Sequence, residues 1–174
     1  MNPIVVRPAV RADCQGILDI YNDAVLKTTA SYDEEPRPLQ HRLDWFDAHE
    51  RDRMPVFVAE ERPEDSQPRI VGWSALNKYH DRAGYRFTAE NSVYVAEEFR
   101  GCGLGGRLLE PLIPAARERG LHVIIAVIDA ANEPSLRLHA RFGFEYAGLF
   151  REVGFKFGRW LDVAYLLRRL EPVA

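Results

Sequence analysis

The stretch that most constrains this chain is ENSVYVAEEFRGCGLGGRLLEPLIPAARERG, Glu90 to Gly120. A β-rich run, Ser92-Val93-Tyr94-Val95, leads through a short acidic connector into a loop with four glycines, then into leucines at helical spacing. The segment predicts strand, loop, helix. Arg100-Gly101-Cys102-Gly103-Leu104-Gly105-Gly106 carries few Cβ atoms, so its backbone can approach a ligand closely and leave several N–H groups for it. Those donors fall at a helix N-terminus, whose partial positive charge suits a diphosphate, and Arg100 and Arg107 flank the turn.

Two ligand classes fit such a cradle. Gly101-x-Gly103-x-x-Gly106 has the form of the dinucleotide fingerprint, and Asp129 lies near the distance at which that fold places a ribose-binding acid. Against it, Ala96 to Arg100 separate the strand from the first glycine, and a long segment precedes a loop that normally opens its domain. The other reading takes Arg100-Gly101-Cys102-Gly103-Leu104-Gly105 as R-x-x-G-x-G, which resembles the pyrophosphate-binding signature of GNAT-superfamily N-acetyltransferases. A purely structural alternative is a glycine-rich turn that permits a sharp corner.

At 174 residues the chain is read as one domain, 1–174, long enough for a proper core. A hydrophobic fraction of 47% with 28% charged residues excludes a disordered chain. The net charge of -3 argues against general nucleic-acid binding and points to a small-molecule partner. No basic leader with a long apolar run opens the sequence, and no apolar run reaches the roughly 18 residues of a membrane span, so a cytoplasmic protein is expected. Cys14 and Cys102 are too few for a zinc site, and no metal is expected. Cys102 sits where a helix terminus would favour a thiolate, but as an x position of the loop it reads as a tolerated small residue.

Along the chain, Ile4 to Pro8 reads as a strand, and Asp13 as the cap of a helix that carries Ile17, Leu18, Tyr21, Ala24 and Val25. Thr28 to Arg37 is a polar loop containing Tyr32, and Leu39 to Glu50 a second helix. Strands are expected at Pro55 to Glu60 and Ile70 to Leu76, joined by a hairpin loop; Gly72 marks a bulge or a close approach of ligand. In Asn77 to Thr88, the groups Lys78, His80, Arg82 and Arg86 either hold a carboxylate or simply solubilise a loop. Pro111 and Pro114 predict irregularity after the first turns of the central helix. Leu121 to Ile128 reads as a strand buried on both faces, Pro134 to Phe142 as a short helix capped by Asn132 or Glu133, and Glu145 to Gly148 and Trp160 to Leu170 as closing strands.

Asp129 to Phe144 shows a second feature similar to the acetyltransferase superfamily: an asparagine after a buried strand, then a helix ending in Gly143-Phe144. The phrases T-A-E-N-S-V-Y-V, N-E-P-S-L-R-L-H and G-F-K-F-G-R-W-L-D-V resemble phosphinothricin and methionine sulfoximine N-acetyltransferases within it. The resemblance covers nearly the whole chain. It implies an α+β fold with a mostly antiparallel twisted sheet, a splayed strand pair and flanking helices, and it implies acetyl-CoA as acetyl donor. Cofactor contacts then fall on Val93, Tyr94, Val95, Arg100, Gly101, Cys102, Gly103, Leu104, Gly105, Gly106, Asn132 and Ser135, with Arg141 within reach of a phosphate. The acceptor, a small amino acid or analogue, falls against Tyr32, His80, Asp81, Arg82, Glu90, Asn91 and Ser92, although His80 and Asp81 are not distinctive of the family. Glu90 matches a general base and His139 a histidine near the acetyl group, and the resemblance implies a homodimer.

These residue types suit the chemistry. An α-amino group is mostly protonated at neutral pH and attacks a thioester only when neutral, so a carboxylate such as Glu90 has a proton to take. Partial burial would raise its pKa toward that task. Backbone N–H groups on a splayed strand would stabilise the oxyanion. The alternatives to this reading are an acetyltransferase for another small amine, a CoA-sensing module without turnover, and a dinucleotide-dependent oxidoreductase.

Overall fold

The computed structural model describes residues 2–171. Seven strands form one sheet: β1 (Ile4–Pro8), β2 (Val56–Glu61), β3 (Arg69–Lys78), β4 (Thr88–Val95), β5 (Val123–Asp129), β6 (Glu145–Lys156) and β7 (Arg159–Arg169). Their spatial order is β1-β2-β3-β4-β5-β7-β6. Every neighbouring pair is antiparallel except β4 and β5. The helices are α1 (Cys14–Lys27), α2 (Leu39–Arg51), α3 (Leu104–Leu109), α4 (Leu112–Glu118) and α5 (Glu133–Arg141). This is the mostly antiparallel, helix-flanked sheet that the resemblance implies.

Alternation along the strands divides the apolar residues between two faces. On one face, Cys14, Ile17 and Ile20 of α1 and Phe46 of α2 pack on Val56, Val58, Trp73 and Ala75. On the other, Leu109 of α3 and Leu112, Ile113 and Ala116 of α4 pack on Leu76, Ala89, Ile124, Ala126 and Ile128. Leu104 and Leu108 continue that layer onto Ala59 and Val71. Leu108 and Leu109 are fully buried, so truncating either to Ala costs about 2–5 kcal/mol.

The fold changes some of these expectations and meets others. Asp13 does not cap α1 with its side chain; its carboxylate takes the Val10 N–H at 2.8 Å and the Arg7 guanidinium at 2.7 Å. Gly72 is approached by a helix, for a Cβ there would meet Leu108 Cδ1 at 2.7 Å, and the sheet register slips beside it between Ala59 and Glu60. The central helix breaks at Glu110 and Pro111, while Pro114 falls in the first turn of α4, where a missing N–H costs nothing. The strand beginning at Glu145 runs on to Lys156 and turns tightly into β7. Its middle is hard to read because the register shifts between Phe150 and Gly154, and Glu152 has φ 54°, which destroys the alternation.

Candidate functional site

β4 and β5 pair over only three positions, Thr88–Val123, Ala89–Ile124 and Glu90–Ile125, whereas β4 stays joined to β3 as far as Val95. Beyond Glu90 the sheet opens into a wedge. The Ala96 N–H donates to the Val71 carbonyl at 3.0 Å, which fixes the phase of the antiparallel ladder. Bonded and non-bonded pairs alternate in such a ladder, so Glu90, Ser92 and Tyr94 spend their backbone groups on β3. Val93 and Val95 turn theirs into the wedge. Arg100 Nε donates to the Val95 carbonyl at 3.0 Å, leaving the N–H groups of Val93 and Val95 facing the opening.

The glycine loop closes the wide end. Gly101 and Gly103 have φ of 77° and 83°, a left-handed conformation that costs a residue with a Cβ roughly 1–2 kcal/mol. The amides of Gly106 and Arg107 both reach the Gly103 carbonyl, so the first helical bonds of α3 begin there. The amides from Gly101 through Gly105 have no acceptor among the described residues. They form a run of donors at the helix start. Gly105 and Gly106 serve a different purpose. A Cβ on Gly105 would lie 3.1 Å from Leu138 Cδ2, and one on Gly106 3.4 Å from the Phe142 ring, so these two glycines admit α5 against α3. Arg107 is committed to the Ile4 carbonyl at 2.6 Å, and the Cys102 thiol to the Phe99 carbonyl at 2.8 Å.

Across the wedge, α5 is capped by Asn132, whose side chain accepts from the Ser135 N–H at 3.2 Å. Its inner face presents His139, buried, with Nδ1 2.8 Å from the Ser135 carbonyl and Nε2 2.8 Å from Asn91 Nδ2. Burial pushes His139 below the usual histidine value, partly opposed by the Ser135 carbonyl. Arg141 is exposed at the end of α5.

The opposite face of β4 carries Glu90, Ser92 and Tyr94 toward α1 and α2. Burial raises the Glu90 carboxyl above its ordinary value, and no neighbouring charge offsets that shift. Asn77, opposite Glu90 on β3, donates to the Glu90 carbonyl at 3.2 Å and to Ser92 Oγ at 2.9 Å. The Tyr94 hydroxyl donates to the Ala30 carbonyl at 3.0 Å, so that side chain braces the loop between α1 and α2. Tyr32 sits on the same loop, its hydroxyl pushed up to about 12 by burial and by the charges of Asp129 and Tyr165.

Two buried polar contacts hold this loop over the far side of the wedge. Lys156 of β6, 2% exposed, donates Nζ to the carbonyls of Thr28 and Ser31 at 2.9 and 2.6 Å. Asp129 of β5 accepts from the Thr29 hydroxyl and from the Ala131 N–H. Asp129 is 6% exposed and both its oxygens are turned to the chain's own donors, which argues against its reading as a ribose-binding acid.

His80, Asp81 and Arg82 stand apart from this cluster. All three are exposed; Asp81 pairs with Lys78 at 3.1 Å, and the Arg82 N–H meets His80 Nδ1 at 3.3 Å. No hydrogen bond or ion pair joins them to Glu90 or Ser92 among the described residues. Asn91 belongs to the His139 side of β4 rather than to the Glu90 side. Lys156, Asn77 and the Thr29–Asp129 contact escape a reading of the sequence; alternation in Phe155-Lys156-Phe157 would turn the phenylalanines inward and the lysine out, the reverse of what the fold does.

The chain matches the Acetyltransferase (GNAT) family over residues 17–144. It is 45% identical over 167 residues to an L-methionine sulfoximine/L-methionine sulfone acetyltransferase of Pseudomonas paraeruginosa, an alignment covering 96% of this chain and 95% of that one. It is 38% identical over 170 residues to a phosphinothricin N-acetyltransferase of Streptomyces coelicolor, covering 96% of each. Its fold superimposes with a TM-score of 0.93 on a Salmonella typhimurium protein solved with its cofactor acetyl-CoA, at 38% identity and covering 99% of this chain and 97% of that one.

Proposed function

Because this chain belongs to the Acetyltransferase (GNAT) family, we propose that it transfers an acetyl group from acetyl-CoA to the α-amino group of a small amino acid or analogue, in the class of methionine sulfoximine, methionine sulfone and phosphinothricin. The observation that carries this reading is the wedge beyond Glu90, with unspent amides along one side and a half-buried carboxylate at its closed end. Acetyl-CoA, when bound, supplies a thioester carbonyl open to attack by an amine and a thiolate as leaving group.

The chain's own residues divide the work. The amides of Gly101 through Gly105, with Arg100 beside them, hold a diphosphate. The edge of Val93 and Val95 offers strand-like pairing to an amide-bearing arm, and Tyr94 contributes through its place in that strand. Asn132, Ser135 and Arg141 line the α5 side. Glu90 removes a proton from the acceptor ammonium, directly or through water, and its raised pKa brings it nearer to the working pH. The wedge-facing N–H of Val93 or Val95 stabilises negative charge on the acyl oxygen, so direct transfer needs no covalent enzyme intermediate. His139 stands on the α5 side of the same wedge.

Ser92, Tyr32 and the loop pinned by Lys156 bound the acceptor. His80, Asp81 and Arg82 reach it only if their exposed loop folds inward, which favours a second reading, another small primary amine. The reading includes a cytoplasmic homodimer. Tyr146, Phe155 and Trp160 are exposed on one face of the hairpin that ends the sheet, an apolar surface suited to a second copy. Incubating the protein with acetyl-CoA and a panel of amino acids that includes methionine sulfoximine and phosphinothricin, with free thiol as readout, tests the assignment. Thiol release with amino acids supports it; release only with simple amines selects the second reading; no release with any acceptor overturns both.

A further inference from the structure

Asn91 and His139 meet across the wedge between β4 and α5, and we propose that Asn91 is a positioning residue that holds His139 as the neutral imidazole with its proton on Nδ1. The consequence for catalysis rests on the acetyltransferase reading, whereas the geometry does not.

A carbonyl oxygen only accepts. The Ser135 carbonyl lies 2.8 Å from Nδ1, so Nδ1 carries a hydrogen. Ser135 Oγ, at 3.4 Å from the same nitrogen, adds a longer contact. An amide nitrogen only donates, and Asn91 Nδ2 lies 2.8 Å from Nε2, so Nε2 presents its lone pair. With the Asn91 amide set this way round, the two contacts admit one state of the ring. Its surroundings agree: Phe144 packs edge-on at 5.0 Å, and the ring is 4% exposed. The carboxylates on the strands beside it are directed elsewhere, Glu90 to the opposite face of β4 and Asp129 to Thr29 and Ala131. On its own helix, Glu133 and Arg137 pair with each other and Arg141 is exposed.

The other end of the amide is as informative. Asn91 is 8% exposed, and its Oδ1 is buried without a partner among the described residues. Turning the amide over would set Oδ1 against Nε2, acceptor against acceptor, unless Nε2 had gained a proton. The orientation of Asn91 and the charge of His139 are thus tied together. In the resting state the ring has no proton to give, because its one N–H is spent on the Ser135 carbonyl. Any proton that His139 delivers to a departing thiolate sulfur must first form an Nε2–H bond, drawn from the attacking nitrogen once the Asn91 N–H has left that lone pair. That bond then breaks as S–H forms. Asn91 therefore serves the leaving group rather than the acceptor.

The test reads the imidazole nitrogens of ¹⁵N-labelled protein by NMR across pH, without either substrate, the His139 signals being assigned by their loss in His139→Gln. The expected wild-type ring at neutral pH is uncharged and protonated on Nδ1. Asn91→Asp sets a carboxylate against Nε2 and raises the titration by about one unit or more. Asn91→Ala, which adds no charge, raises it less by removing a donor to the lone pair. A wild-type ring protonated on Nε2 or on both nitrogens, or a titration unmoved in both variants, overturns the proposal. In turnover, Asn91→Asp gives kcat a pH dependence, beside the acid limb set by Glu90, that follows its own His139 NMR titration, with KM for acetyl-CoA within about twofold. A loss of kcat equal at every pH would reduce Asn91 to a packing role. Absence of acetyl transfer in the wild type would sink the enzymatic reading while leaving the tautomer measurement standing.

Discussion

The two sides of the wedge are made of different material. The side that faces α5 and the glycine loop is built from backbone: the amides of Val93, Val95 and Gly101 through Gly105, placed by strand phase and by two left-handed glycines. The side that faces α1 and α2 is built from side chains that meet over long sequence separations, Glu90 with Asn77 above it, Lys156 on Thr28 and Ser31, and Thr29 on Asp129. A backbone site tolerates most substitutions that leave the chain path intact. A side-chain site fails one contact at a time, and its failures should appear in acceptor kinetics while donor binding survives.

The largest effect expected is on Glu90. Glu90→Gln should lower kcat by about a hundredfold or more while leaving KM for acetyl-CoA nearly unchanged. The wild-type rate should fall as pH drops through the raised Glu90 pKa, because only the ionised carboxylate accepts a proton. Stability should move in the opposite sense. A carboxyl whose folded pKa is raised favours the native state below its unfolded pKa and loses that advantage as pH rises through the folded one. At neutral pH, Glu90→Gln should therefore melt higher than the parent, and the gap should close in acid. A variant that is slower yet no more stable at neutral pH would break the claim that burial tunes this group.

Lys156→Met comes next. It leaves the Thr28 and Ser31 carbonyls without a donor, at about 1–3 kcal/mol for the buried Ser31 group and less for the half-buried Thr28, and frees the loop between α1 and α2. Denaturant unfolding should show the loss, and KM for the acceptor should rise while acetyl-CoA binding holds. Gly103→Ala sharpens the contrast from the other side. Strain of roughly 1–2 kcal/mol at a φ of 83° should weaken acetyl-CoA about tenfold by calorimetry, with little change in acceptor KM. The smallest effect expected is Thr29→Val, which removes one hydroxyl from Asp129 and should raise acceptor KM by only a few-fold. Equal effects of Lys156→Met and Gly103→Ala on both substrates would erase the distinction between the two sides.

The same division explains what the sequence disclosed. Glycines at 101 and 103, a β-branched run before them and leucines after them are local signals, so the loop, its strand and the start of its helix are legible directly. The glycines at 105 and 106 carry the same local signal for a different reason, and only the packing of Leu138 and Phe142 separates helix contact from ligand contact. Asp129 shows the converse. Its spacing from the loop fits a ribose ligand, yet Thr29, distant in sequence, already holds it. Strand β6 was half hidden because its register shifts beside a residue at positive φ, and Lys156 was hidden with it. Pairing over long separations leaves no periodic trace in a single chain.

The central claim is that the amides of Val93, Val95 and Gly101 through Gly105 receive acetyl-CoA, and amide NMR during titration addresses them individually. Acetyl-CoA should shift these resonances and slow their exchange with solvent, saturating together, while NADH leaves them where they were. Resonances unmoved by saturating acetyl-CoA, or moved by NADH instead, would contradict the account.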